Sequence, residues 1–358
     1  MYRKYGLLVV TLVILACGVS EAAPGGLGQL QEAEKNTPPE PKKPKTKPRT
    51  SRAFVKTWEQ LQADFQKIRQ KEIQYSGSLS SVPSNVSMFL PTPGSSTKPN
   101  DELKTLMRYR AVVGLPFEDL ELDRAFTLHA AAAAYLLNTH GSLSHNPPCP
   151  EEDFSPDLYR FAIQGTSHSN IFWGDSGMTG CVRSFMKDSD PTNIVHMGHR
   201  RWCLNPSMKK TGFGEFGKFA AMWAFDTSRP LPDYDFIPFP ARGLTPVNLL
   251  DATWAWSVTL NPKKYKLTSD VDKVTIHVTP TRFDTQKKTF TILPGELTVK
   301  DIHVSQMGFG VPLCVIFRPE GYECKPDTAY CVEIIGFSNT AGEPTLIQYW
   351  VVFCQPMN

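Results

Sequence analysis

The sequence has little net charge. Its 358 residues include 38 lysines and arginines against 35 aspartates and glutamates, which gives a formal charge of +3. Proteins that bind nucleic acid through its phosphates usually present a strongly basic face. We therefore expect no nucleic-acid partner. A hydrophobic fraction of 41% and a charged fraction of 20% are ordinary for a globular protein and exclude wholesale disorder and a coiled coil.

The sequence also lacks several local motifs of nucleotide and nucleophile chemistry. It contains no P-loop, no CxxC pair, no HExxH zinc motif and no GxSxG nucleophile elbow. Each of these motifs works because its residues are held at a fixed spacing on a defined turn or helix. Serine-nucleophile and P-loop nucleotide chemistry therefore have no local support.

Long apolar runs are scarce. The most prominent run, 5–19, is shorter than the ~18–20 residues that a membrane-spanning helix needs. It follows two basic residues and precedes small ones, an order that predicts a signal peptide over 1–22. An alternative is a lipobox at 14–17, in which a lipidated Cys17 would tether the protein to a membrane. Either route predicts a secreted or extracytoplasmic cell-envelope protein.

Composition predicts where the folded part begins. Prolines and lysines alternate in 23–53, which predicts an extended, solvated linker. Apolar residues at spacings of three and four then predict an amphipathic helix within 54–99, followed by a loop.

The remaining sequence predicts an α+β protein. Helix signals followed by strand-like segments indicate a mixed domain over 100–229, in which Asp123 caps a helix rich in alanine. The proline-rich stretch 230–245 is interpreted as a hinge between two separately cored units. Seven short β-rich segments over 246–358 predict an all-β, immunoglobulin-like sandwich.

Four segments of the middle domain resemble the CAP superfamily, the group of cysteine-rich secretory, antigen-five and pathogenesis-related proteins. The segments are MRYRAVVGLPFEDLELDRAFTLHA, GSLSHNPP, SNIFWGD and MGHRRWCLNPSMKKTGFGEF, closed by MWAFD. The order of LSHNPP and GHRRWCLNP is the specific part and is most similar to the bacterial branch. The resemblance implies an α-β-α sandwich, which in similar bacterial proteins often continues into a β-sandwich.

The resemblance also implies a cleft. In the family, two histidines and two glutamates face a shared cleft that can bind zinc, and His145 and His199 match the two histidines. Ser169 stands where the first glutamate is expected, and the helix MTGCVRSFM, where the second usually falls, has no acid. The residues expected to line the cleft besides the histidine pair are His168, Ser169, Asn170, Asp175 and Arg200, and the alternative for Arg200 is a purely structural anchor.

The missing acids favour binding over catalysis. Metal-assisted hydrolysis needs a positioned general base, and glutamate is the usual one. We therefore predict a non-catalytic binding module for an envelope glycan, a lipid or a protein partner. The alternative is a metal-dependent hydrolase or peptidase that uses His145 and His199, with Zn²⁺ bound weakly.

The cysteines predict disulfides. Of the eight cysteines, seven lie beyond the export signal, and an exported protein can form disulfides. The midpoint of Cys331 and Cys354 falls in the turn SNTAGEPT, which predicts that they pair across one hairpin. Cys314 and Cys324 flank a second turn and form a second candidate pair.

Overall fold

The computed structural model describes residues 56–80, 82, 84–87, 94, 96–150, 154–268, 270–287 and 289–357. The predicted signal peptide, the lipobox at Cys17 and the linker 23–53 lie outside the described residues. The chain divides into two compact units, Met1–Pro44 and Lys45–Asn358, and every described residue belongs to the second unit. Within that part, no helix combines the length and the apolar character needed to cross a bilayer.

The described residues form helices and strands in the mixed arrangement expected of an α+β protein. The helices are α1 Trp58–Gln70, α2 Ser84–Ser87, α3 Lys98–Val112, α4 Arg124–His140, α5 Pro156–Ser167, α6 Cys181–Lys187 and α7 Gly198–Cys203. The strands of the N-terminal half are β1 Tyr75–Ser76, β2 Glu121–Asp123, β3 Ser169–Trp173, β4 Lys210–Thr211, β5 Phe213–Phe216 and β6 Phe219–Trp223. The strands of the C-terminal half are β7 Phe236–Phe239, β8 Gly243–Pro246, β9 Trp256–Leu260, β10 Tyr265–Leu267, β11 Thr275–Asp284, β12 Thr289–Ile292, β13 Val299–Ser305, β14 Cys314–Pro319, β15 Ala329–Asn339 and β16 Pro344–Cys354.

Helix α4 is the centre of the N-terminal half. Its predicted cap is confirmed, because the Asp123 carboxylate accepts hydrogen bonds from the backbone amides of Ala125 and Phe126. The helix packs on the antiparallel sheet β3-β6-β5 on one side and on α5 on another. Its alanines allow close approach to the sheet. A Cβ at Gly214 of β5 would lie 2.1 Å from the amide nitrogen of Ala131, so only glycine fits there.

The C-terminal half consists of two sheets. One has the order β12-β11-β15-β16-β8 with β10 beside β15, and the other has the order β13-β14-β9-β7. All pairs in both sheets are antiparallel except β8 with β16. Each of the seven predicted β-rich segments contains a strand, and the short strand β10 is an addition. The strands were predictable because their segments are rich in β-branched and aromatic residues, which favour extended structure, and are separated by turn residues.

The proline-rich stretch 230–245, which was interpreted as a hinge, takes part in both C-terminal sheets. It contains β7, which pairs with β9, and most of β8, which pairs with β16. One hydrophobic cluster also runs from α3 through Phe239 into the C-terminal sheets. Tyr109 illustrates the continuity, since its ring lies 5.7 Å from that of Phe239 and its hydroxyl donates to the Leu249 carbonyl at 2.9 Å.

The Cys331–Cys354 pairing is wrong in this structure. The register of β15 and β16 places Trp350 opposite Cys331, and Cys354 is a buried free thiol. The hairpin turns earlier than its midpoint suggests, since Ser338 pairs with Pro344 and centres the turn near residue 341, and a bulge between Ile334 and Phe337 moves the register by one further residue. Cys314 and Cys324, the second candidate pair, are also free thiols.

Candidate functional site

A cavity of about 260 Å³ brings together the two histidines that the CAP resemblance singles out. His145 comes from the loop after α4, and His199 from α7. The side chains and backbone that line the cavity are His145, Ser167, Ser169, Asn170, Thr192, Asn193, His196, Gly198, His199, Trp202, Phe225 and Phe309. Within the described part of the chain, its lining therefore holds imidazoles, hydroxyls, amides and aromatic rings, but no carboxylate, lysine or arginine.

The His145 ring is held in one tautomer. Its Nδ1 lies 2.7 Å from the carbonyl oxygen of Thr166, an atom that only accepts hydrogen bonds. Nδ1 therefore carries the proton, and Nε2 of the neutral ring presents a lone pair. The Thr166 hydroxyl donates in return to the His145 carbonyl at 3.1 Å, so the loop and the end of α5 hold each other.

The His199 ring is oriented by a buried acid, Asp188. Its Nδ1 lies 2.8 Å from Asp188 Oδ1, and the Asp188 side chain is 1% exposed. The second oxygen, Oδ2, accepts the backbone N–H of Arg200 at 3.1 Å. Asp188 directly follows α6 in the left-handed region, with φ of 39°, where aspartate is better tolerated than most residues. This acid was not predicted from the sequence, since it lies in no motif and is brought to His199 only by the packing of α6 on α7.

Charge sets the protonation of His199. Burial alone would lower the pKa of its imidazole, because the charged form loses its hydration. The hydrogen bond that the ring donates to Asp188 and the charges of Asp188 and Asp190 outweigh burial, and the pKa of His199 is raised. The ring is therefore more basic than an ordinary histidine while its Nε2 remains available to the cavity.

Ser169 is a polar group without a partner. Its side chain is 3% exposed, and its Oγ makes no hydrogen bond within the described residues. The next residue, Asn170, uses its side-chain amide to donate to the His199 carbonyl at 3.0 Å. A buried hydroxyl that borders a cavity and lacks a partner is a group that a ligand can satisfy.

The loop after α6 forms another wall. Asp190 accepts hydrogen bonds from the backbone amides of Thr192 and Asn193 at 3.1 and 3.3 Å and from the Asn193 side chain at 2.9 Å. Burial would raise the pKa of Asp190, but a hydrogen bond from the Thr192 hydroxyl, together with those from the Asn193 side chain and the amides, outweighs it and lowers the value to about 2. The carboxylate thereby shapes the turn that presents Thr192 and Asn193 to the cavity. The sequence interpretation missed this turn.

Aromatic rings complete the lining. Trp202 and Phe225 are stacked with their centres 4.1 Å apart, and Phe225 is 43% exposed. Phe309 contributes a third ring from the C-terminal half. An exposed aromatic face beside unsatisfied polar atoms is the usual make-up of a small-molecule site.

Three residues predicted for the cleft lie elsewhere. His168 is half-buried and outside the cavity lining, with its ring stacked on Trp223 at 5.1 Å. Asp175 is 83% exposed and pairs with Lys218 at 2.6 Å, because its turn faces solvent.

The third of these residues, Arg200, is a structural anchor, which was the alternative prediction for it. It is fully buried and donates to the carbonyls of Met186 and Ala255 and to the Ser257 hydroxyl, at 2.6, 2.8 and 3.1 Å. Helical spacing explains the difference from His199, since adjacent residues on a helix point in different directions.

The donor set does not fit a catalytic zinc ion. Such a site uses three protein ligands, whereas the two matched histidines supply two. His196 also lines the cavity, with its Nδ1 3.1 Å from the Ser305 hydroxyl, but it is not placed to complete a three-ligand group with the other two. Across the described residues, no group of three or more histidine, cysteine, aspartate or glutamate side chains is placed to hold a metal ion.

No protein-family model, curated protein or solved structure matches the chain. The CAP resemblance therefore rests on the four sequence segments alone.

Proposed function

We propose that this chain is a secreted or cell-envelope binding protein with a CAP-type domain followed by an immunoglobulin-like sandwich. Its ligand is a neutral saccharide of the envelope, held in the cavity of His145 and His199. Of the predicted partner classes, glycan, lipid and protein, the chemistry of the cavity favours the glycan.

The two anchored imidazoles are the observation that carries this proposal. Each ring has its Nδ1 committed to an oxygen, and neither uses Nε2 in a hydrogen bond within the described residues. Nε2 of a neutral His145 ring therefore offers an acceptor, whereas Nε2 of His199 accepts when that ring is neutral and donates when it is protonated. The unpartnered Ser169 hydroxyl can donate or accept. A ligand rich in hydroxyls satisfies these atoms because each hydroxyl can both donate and accept, whereas an ionised carboxylate has no proton to donate to the His145 lone pair.

The aromatic lining supports the same ligand. A pyranose ring has an apolar C–H face that packs on a flat aromatic surface while its hydroxyls point outward to polar groups. Trp202 and Phe225 supply such a surface next to the imidazoles. The described lining holds no carboxylate, lysine or arginine, so it offers no permanent charge to pair with a charged ligand.

Calorimetric titration with defined saccharides tests the proposal. Triacetylchitotriose is a neutral probe, trigalacturonic acid an acidic one, and phosphatidylglycerol vesicles represent a lipid surface. We expect binding of a neutral probe that weakens about tenfold in Ser169→Ala and in His145→Ala, because each change removes a polar partner. His277→Ala is the matched control, since that ring pairs with Glu296 and is outside the cavity lining. Binding of the vesicles alone, or unchanged affinity in both cavity variants, would contradict the proposal.

A metal-dependent hydrolase is the second candidate, favoured by one observation. Imidazoles that ligate a metal commonly have their other ring nitrogen held by a carboxylate or a carbonyl, as the Nδ1 atoms of His199 and His145 are. With two ligands, we expect zinc binding that is weak and reversed by chelators, and that is lost in His199→Ala. Chelator-sensitive peptide or glycoside hydrolysis by the wild type, abolished in His145→Ala, would favour this candidate over the binding protein.

A further inference from the structure

The C-terminal half supplies one wall of the cavity. Phe309 lies in the segment 306–313 between β13 and β14, whereas His199 and Trp202 belong to α7 of the N-terminal half. All three side chains line the same cavity. The ligand site is therefore assembled from two parts of the fold that are distant in sequence.

Arg201 positions the segment that carries Phe309. It is 2% exposed, and its guanidinium donates to Ser305 Oγ at 2.9 Å, to the Val311 carbonyl at 2.6 Å and to the Met307 carbonyl. The same guanidinium lies 5.1 Å from the centre of the Phe309 ring, within the range of a cation–π contact. One buried side chain of α7 thus fixes the loop on both sides of the ring.

Gly198 leaves room for the ring. A Cβ at this position would lie 2.8 Å from Cδ1 and 2.9 Å from Cε1 of Phe309, closer than such atoms normally approach. The absence of a side chain lets Phe309 lie directly against the first residue of α7. His196 borders the ring as well, with the two ring centres 5.8 Å apart.

We propose that Phe309 is a specificity-determining residue of the cavity and that Arg201 is its positioning residue. The saccharide part of this inference rests on the proposed function. The half-buried ring limits the space beside His199 and offers an aromatic face to the ligand. Removing it both weakens binding of a ligand that fits and opens the cavity to larger ones.

Calorimetric titration of Phe309→Ala against Met307→Ala tests the effect on binding. Met307 is in the same loop, and its side chain is 54% exposed and outside the cavity lining. We expect about a tenfold loss of affinity for triacetylchitotriose in Phe309→Ala, as for a buried aromatic contact, and no change in Met307→Ala. Equal affinities of the wild type and Phe309→Ala for saccharides of every length would overturn the proposal.

A second measurement needs no saccharide. Diethylpyrocarbonate modifies the free nitrogen of histidine, and peptide mass spectrometry reads the rate at each ring. We expect His199 to react severalfold faster in Phe309→Ala. We expect the same in Gly198→Ala, because the added methyl group displaces the Phe309 ring. The reaction rate of His199 should stay unchanged in Gly308→Ala, because an added Cβ there would meet nothing within 4 Å. His168, which is half-buried and outside the cavity lining, serves as the internal reference for an intact fold.

The two measurements separate the two proposals. An unchanged His199 rate in Phe309→Ala overturns the role of Phe309 whatever the saccharide result. A faster rate together with no saccharide binding by the wild type supports Phe309 as the cavity wall and overturns the saccharide function.

Discussion

Asp188 and His199 form a buried pair at 2.8 Å, with the acid inside the fold and the imidazole at the cavity. The same carboxylate also accepts a hydrogen bond from the backbone N–H of Arg200, the residue that follows His199. A single carboxylate therefore orients the cavity imidazole and holds the first turn of α7. This arrangement ties the chemistry of the site to the packing of α6 and α7.

Asp188→Asn should lower the pKa of His199. Burial then acts without the opposing carboxylate, because an amide stabilises the imidazolium far less than a charged acid. NMR titration of the histidine ring protons measures the change directly. Glu296→Gln, which alters the partner of His277 at the surface, is the matched control and should leave His199 unaffected.

The same pair predicts a dependence of stability on pH. The pKa of His199 is raised by folding, so its contribution to stability is fully present below the unfolded value of ~6.5 and is lost as the pH rises through the folded value. The difference in unfolding free energy between wild type and Asp188→Asn should thus be larger at pH ~5.5 than at pH ~8.5. A difference that grows with pH, measured by urea unfolding, would show that Asp188 does not act on the charge of His199.

Asp190→Asn should loosen the turn that carries Thr192 and Asn193. The pKa of Asp190 is lowered to about 2, so its stabilising effect is present above the unfolded value of 3.8 and is lost as the pH falls toward 2. Hydrogen exchange of the amides of 192 and 193 should be faster in the variant at neutral pH, and the difference should shrink in acid. Asp175→Asn, whose carboxylate pairs at the surface, should leave these amides unchanged. Equal protection of both amides in wild type and Asp190→Asn would refute the role of this carboxylate.

Arg200→Met should destabilise the whole described fold. The guanidinium is fully buried and joins α7 to the C-terminal sheets through Ala255 and Ser257, and methionine would leave those acceptors unsatisfied. We expect a loss of about 2–4 kcal/mol in the free energy of unfolding by urea. Arg160→Met is the matched control, because that side chain is 73% exposed and a surface change usually alters stability by less than ~0.5 kcal/mol. Similar losses in both variants would argue against the anchor.

Local signals were sufficient for much of the secondary structure. Asp123 and Gly141 mark the ends of α4 because an acidic N-cap and a left-handed glycine act within a few residues. By contrast, α5 was missed, although Ser155 caps it and Pro156 opens it, because a polar segment with prolines resembles a loop.

The site was less predictable from sequence than the helices and strands. His145 and His199 share a cavity as the CAP motifs implied, but Asp188 and Phe309 reach it only through tertiary packing. No local pattern reports such contacts. On α7, His199 lines the cavity, whereas Arg200 is buried in the interior. A motif match treats these two adjacent residues alike and so cannot show the difference.

The C-terminal sheets should not fold without the strands that precede residue 246. A fragment spanning 246–358 lacks β7 and nearly all of β8, which removes the edge partners of β9 and β16. It would expose unpaired strand edges, and it would also lose Phe239, which packs against Trp254 with the rings 6.3 Å apart. We therefore expect this fragment to be unfolded or aggregated by circular dichroism. A fragment spanning 230–358 keeps both strands and should show more β structure. Equal, cooperative unfolding of the two fragments would show that β7 and β8 are dispensable and that the sandwich begins after residue 245.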